Sequence, residues 1–183
     1  MLGDLAAYLF VAANSFYPMS NHFYMEKKEV TETRYEDFTS KIASAVSRPE
    51  YEPLFAGDDG REKSGLLLIS IASFESGFVA KVLDCEKLGD GGHAFGPFQT
   101  HIEPYSVQQR DKICSNVDDA VDYASKIIRA SFKMCHNYPQ LGHLAAYTDG
   151  NEFNTKRAFR RSSERMGRAL NFWEKSPYFS EIQ

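Results

Sequence analysis

The run Leu66-Leu67-Leu68-Ile69-Ser70-Ile71-Ala72-Ser73-Phe74 constrains the chain more than any other segment. Its apolar residues fall on nearly every side of a 3.6-residue period. As a helix it therefore has no face to offer to water, and it reads as a buried central helix rather than an amphipathic surface one. Glu75 stands where that helix ends. A carboxyl group beside apolar side chains loses hydration of its charged form, and one so placed is able to hold a proton near neutral pH, as a general acid must. The plainer alternative is a helix-end carboxylate that points into water.

Further helical signals surround this segment. Residues 31–47 carry Tyr35, Phe38, Ile42, Ala45 and Val46 at three-four spacing, and Arg48-Pro49 ends the pattern. Asn116 has the character of an N-cap for a helix with Val117, Ala120, Val121, Ala124, Ile127 and Ile128 on one face. Pro139 precedes a short helix over 141–147. The last helix, over 155–174, puts Phe159, Met166, Leu170 and Trp173 on a core stripe. Residues 81–101 are glycine-rich and suit a small β-hairpin or an irregular lobe. The expected fold is mainly α. With 183 residues and 43% hydrophobic content, one sizeable core is expected, with a helical extension at 1–60 and a principal domain at 61–183.

Several classes fall away. A net charge of −4 gives no global attraction to nucleic acid, and no nucleic-acid motif is present. Cys85, Cys114 and Cys135 are odd in number and lack Cys-x-x-Cys spacing, so at least one thiol is free or pairs between chains. Cys85 by itself reads as a small buried hydrophobe. The histidines His22, His93, His101, His136 and His143 show no helical metal spacing, so neither metal nor other cofactor is expected. The apolar run Leu5 to Ala13 is too short to span a bilayer, which takes ~20 residues. It follows Asp4 and no basic residue, which argues against a signal peptide and for an amphipathic helix that packs on the domain or on a partner.

Three short segments recur in an informative order: Glu75-Ser76; Gly96-Pro97-Phe98-Gln99; and Ala145-Ala146-Tyr147-Thr148. In this order, and with the apolar helix before the Glu, residues 62–174 resemble the lysozyme-like lytic transglycosylases (SLT-type), whose pattern runs Glu-Ser, Gly-Leu-Met-Gln, Ala-Tyr-Asn. Pro97-Phe98 replaces Leu-Met and stiffens the turn, and Thr148 stands where the family has Asn. The stretch from Asp84 to Asp90 also resembles goose-type lysozymes, which add acidic residues near this position.

The resemblance implies a two-lobed lysozyme-like domain with a small irregular or hairpin lobe. It also implies cleavage of the bond between N-acetylmuramic acid and N-acetylglucosamine in peptidoglycan. Glu75 would protonate the glycosidic oxygen and then, as carboxylate, take the proton of the sugar's C6 hydroxyl to close a 1,6-anhydro ring. Tyr147 would orient Glu75 or the acetamido group. Gln99, Ser76, Phe98 and Gly96 would meet substrate. In an inverting muramidase, Asp84 or Asp90 would hold the water, typically ~6.5–9.5 Å from the acid. Their plainer role is to stabilise a glycine turn.

A non-catalytic wall-binding or virion module and a chitin-directed glycosidase are the remaining alternatives on the same fold. Arg157, Arg161, Arg165 and Arg168, spaced four, four and three apart, read as a solvated basic face or as an attraction for anionic wall polymers. Action on the cell wall, in the periplasm or outside the cell, would need a delivery route. A bacteriophage lysis protein, a virion component or a secreted effector meets that need, with the N-terminal helices as the surface for a delivery partner.

Overall fold

A computed structural model describes residues 2–101 and 106–176, and these form a mainly α-helical architecture. Eight α-helices are present among them: α1 (Leu2–Phe16), α2 (Lys28–Ser47), α3 (Gly60–Glu75), α4 (Ala80–Leu83), α5 (Val107–Ser115), α6 (Val117–Met134), α7 (Ala145–Asp149) and α8 (Lys156–Lys175). Between α4 and α5 lies one antiparallel hairpin, β1 (Ala94–Phe95) with β2 (Thr100–His101), in which Ala94 faces His101 and Phe95 faces Thr100.

The helix α3 is the axis of the molecule. Leu67, Leu68, Ile69, Ile71 and Ala72 are fully excluded from solvent, as are Leu9 and Ala12 of α1 and Ile42 and Ala45 of α2. Each large aliphatic side chain so buried contributes ~1.5–3 kcal/mol relative to exposure. The buried polar residues of this helix, Ser64, Ser70 and Ser73, are small hydroxyls whose bonds are made within the protein. Ser64 donates to the Gly60 carbonyl and accepts from Leu54 N–H, and Ser70 donates to the Arg165 carbonyl of α8 at 2.8 Å. A Cβ on Gly65 would lie 3.2 Å from a Leu9 methyl, so this glycine sets how closely α1 approaches.

The helix α1 packs mostly on α2 and α3, with Leu5, Tyr8, Leu9, Ala12, Ala13 and Phe16 turned inward. The core therefore continues across residue 60, and the 1–60 segment shares it with the principal domain. No helix among the described residues is long and apolar enough to cross a membrane.

The structure departs from the sequence reading in three places. The helix expected over 141–147 is interrupted: a 3-10 turn occupies Gln140–Gly142 and α7 begins only at Ala145. The reason is competition for backbone donors, because Leu144 N–H goes to Ser162 Oγ and Tyr147 N–H to Ser131 Oγ. Phe159, expected on the core stripe, is 39% exposed and lies over Gly142, where a Cβ would meet its ring at 2.8 Å. Finally, Cys85 is not a lone buried thiol. It forms a disulfide with Cys114 at a Cα–Cα distance of 5.6 Å, leaving Cys135 free and buried.

Candidate functional site

Glu75 is the last residue of α3, and its side chain is 22% exposed, so a buried helix delivers a carboxylate to the surface. The surroundings are not wholly apolar. Arg165 of α8 donates to Glu75 Oε1 from Nε at 3.0 Å and from Nη2 at 2.7 Å. Its third bonded nitrogen, Nη1, donates to the Arg161 carbonyl. A guanidinium has donors and no acceptor, so Oε1 is committed as an acceptor and a transferable proton would ride on Oε2. The ring of Phe74 meets two cations, with Arg168 Cζ 4.0 Å and Arg165 Cζ 4.7 Å from its centroid.

The three segments singled out in the sequence meet here. Tyr147 of α7 donates its hydroxyl to the Phe98 carbonyl at 2.7 Å, which ties α7 to the glycine turn. Burial raises the Tyr147 ionisation well above the ordinary phenol range; the nearby Glu75 carboxylate adds to this and Arg165 opposes it. Tyr147 thus orients the turn rather than Glu75, whose hydrogen-bonded partner is Arg165.

Other expected site residues have local roles. Phe98 is 1% exposed and belongs to the core, so it forms no sugar-stacking wall. Ser76 is buried, donates to the Ala72 carbonyl and accepts from Phe78 N–H, closing the end of α3 rather than facing a ligand. Gln99 has φ of 44° and donates to the Gly96 carbonyl, while Gly96 takes φ of 66° with Ile113 close above it. This left-handed backbone suits glycine, and the turn keeps its shape through its own bonds. Asp90 is exposed and pairs with His101 at 3.3 Å across the hairpin. Asp84 caps the end of α4 and lines a groove of about 850 Å³ between α2, α4 and the α5–α6 junction.

The sequence reading missed the roles of the arginines. Arg157 and Arg161 both pair with Asp149, whose side chain is 1% exposed; Arg165 pairs with Glu75; and Arg168 donates to the Phe16 carbonyl and to Ser73 Oγ. Burial and the neighbouring Arg165 pull the Arg168 ionisation below its usual range, with Glu164 opposing. The stripe is therefore solvated only at its start, where the Arg157 and Arg161 side chains are 53% and 43% exposed, and each of its four arginines has a partner. Its spacing on one helix face was legible; its partners, 90 positions distant for Glu75, were not.

Behind the site, Arg34 of α2 donates from Nε to the Phe78 carbonyl at 2.8 Å and pairs with Glu26. Buried His22 meets the Tyr35 hydroxyl at 3.2 Å, and that hydroxyl donates to the Tyr17 carbonyl. Phe78, with φ of 54° and 1% exposure, is thereby clamped three residues after Glu75. No family model matches the chain, and neither a curated protein nor a solved structure matches it.

Proposed function

We propose that the protein is a peptidoglycan-cleaving enzyme that breaks the bond between N-acetylmuramic acid and N-acetylglucosamine, acting as a lytic transglycosylase on a lysozyme-like helical scaffold. The observation that carries this reading is the convergence of Glu75, the Phe98 turn and Tyr147 at the end of the buried helix α3. Glu75 Oε2 delivers a proton to the glycosidic oxygen, and an oxocarbenium-like centre develops on the sugar. As the proton leaves, negative charge grows on Glu75, and Arg165 is already in place at Oε1 to stabilise it. The carboxylate then removes the C6 hydroxyl proton as the anhydro ring closes. One carboxylate suffices for this route, and Asp84 and Asp90 are not needed.

The Cys85–Cys114 disulfide supports action outside a reducing cytosol, in the periplasm or beyond the cell, after delivery by a phage particle or secretion route. The decisive experiment is mass spectrometry of soluble fragments released from purified peptidoglycan by wild type and by Glu75→Gln. Anhydromuramyl ends that fall by ~10²–10⁴, or about 3–5 kcal/mol of barrier, in the variant support the reading. Reducing ends indicate a goose-type-like muramidase instead.

The Glu75–Arg165 pair favours a second reading, because such a pair also serves as a strut between α3 and α8 in a non-catalytic wall-binding or virion module. Binding to peptidoglycan without release of fragments by wild type would establish that reading.

A further inference from the structure

We propose that Asp149 is a positioning residue for the Glu75 site, acting through α8; this rests on the catalytic reading given above. Asp149 closes α7 two residues after Tyr147, and its carboxylate is almost wholly withdrawn from water, with 1% of the side chain exposed. A carboxylate in that position is costly unless it is paired and hydrogen-bonded. Here Oδ1 accepts from Arg157 Nε at 2.9 Å and from Arg161 Nη1 at 3.2 Å, while Oδ2 accepts from the Thr148 hydroxyl at 3.2 Å. Arg161 stands one helical turn before Arg165, and its carbonyl takes the Nη1 of Arg165 at 3.0 Å. Arg165 turns its Nε and Nη2 to Glu75. A path thus runs from Asp149 to the Arg161 guanidinium, along that residue's own covalent frame to its main-chain carbonyl, and from the carbonyl through Arg165 to Glu75.

The need for such a brace follows from the size of α7. A helix of five residues has almost no stability of its own, and Gly150, at φ of 53°, ends it abruptly. Its entry is held by Leu144 N–H on Ser162 Oγ at 2.9 Å. Its exit is held by Asp149 on Arg157 and Arg161. With both ends fixed on α8, Tyr147 lies at a set depth and its hydroxyl reaches the Phe98 carbonyl. The same carboxylate offsets the charge of Arg157 and Arg161 next to the guanidinium that serves Glu75. Removing it shifts the electrostatic balance along α8 toward positive and lets the end of α7 drift.

The test compares wild type, Asp149→Asn, Arg161→Gln and the double variant on soluble uncross-linked glycan chains, with Glu75→Gln as the control. The expected result is a fall in kcat of ~10-fold or more in each single variant with KM unchanged. The double variant should be no slower than the worse single one, because the two residues act as one unit. Arg161 is 43% exposed in its side chain, so Arg161→Gln remains testable should Asp149→Asn fail to fold. Wild-type kcat in folded Arg161→Gln and Asp149→Asn, or a loss confined to melting temperature and KM, overturns the proposal while the catalytic reading stands. An inactive wild type, or activity that survives Glu75→Gln, removes the catalytic reading and this inference with it.

Discussion

Reducing the Cys85–Cys114 bond is expected to remove ~3.6 kcal/mol of stability. The bond joins positions 29 apart in sequence. Closing a loop of about that length takes roughly 12 cal/mol/K of entropy from the unfolded chain in the loop-closure treatment, which at 25 °C is the ~3.6 kcal/mol. For a chain of this size each kcal/mol moves the melting temperature by about 2–4 °C, so a fall of roughly 7–14 °C is expected. The perturbation is clean, since the third cysteine, Cys135, is free and buried in the oxidised protein. The assay is urea unfolding with and without reductant, paired with thiol titration in denaturant, which should count one thiol before reduction and three after. The closed loop also contains the Gly96–Gln99 turn whose Phe98 carbonyl accepts from Tyr147, so any glycan-cleaving activity should fall on reduction under conditions where the fold persists. An unchanged unfolding midpoint in a sample that titrates three thiols would refute the reasoning.

Three further outcomes are expected. Arg165→Met should destabilise the protein by about 1–3 kcal/mol, discounted from the ~3–5 kcal/mol of a fully buried pair because Glu75 is 22% exposed. Glu75→Gln with Arg165→Met should recover much of that loss in thermal melts, and equal stability of single and double variants would count against the pairing. Burial, with Arg34 adding to it, lowers the His22 ionisation below its usual value, so the folded state binds a proton there less readily than the unfolded chain. Its stabilising contribution is complete above about pH 6.5 and is lost as the pH falls from there through the lowered folded value. Urea midpoints between pH 7.5 and 5 should drop more steeply in wild type than in His22→Phe; parallel slopes would refute this. Tyr8, with its ionisation pushed up to about 12, should stay largely protonated at pH 11 in ultraviolet titration, and Tyr147, raised by burial beside Glu75, should ionise only above the ordinary phenol range. Replacing Tyr147 with Phe should leave the titration curve through the ordinary phenol range unchanged.

Much of the helical framework could be read from order and spacing. The segment 66–74 announced itself as buried because it had no polar face, and α3 is indeed enclosed from Leu66 to Ser73. The N-cap at Asn116 was legible because its chemistry is local: its side chain accepts from Asp118 N–H two residues on. The end of α2 at Arg48-Pro49 and the glycine-rich hairpin belong to the same class. By contrast, the break before α7 depends on Ser131 and Ser162, side chains from other helices that take backbone donors.

The candidate site divides in the same way. The resemblance grouped Glu75, the Gly96–Gln99 turn and Tyr147, and the Tyr147–Phe98 bond joins two of those segments in space. Only the tertiary structure decided what each does there. Phe98 is withdrawn into the core, Ser76 closes a helix, and Glu75 and Asp149 divide three of the arginines between them. Periodicity and capping act within a few residues, so the amino-acid sequence determines them directly. A guanidinium chooses its carboxylate through the packing of α3 against α8, some ninety residues apart, and that choice exists only once the core between them has formed.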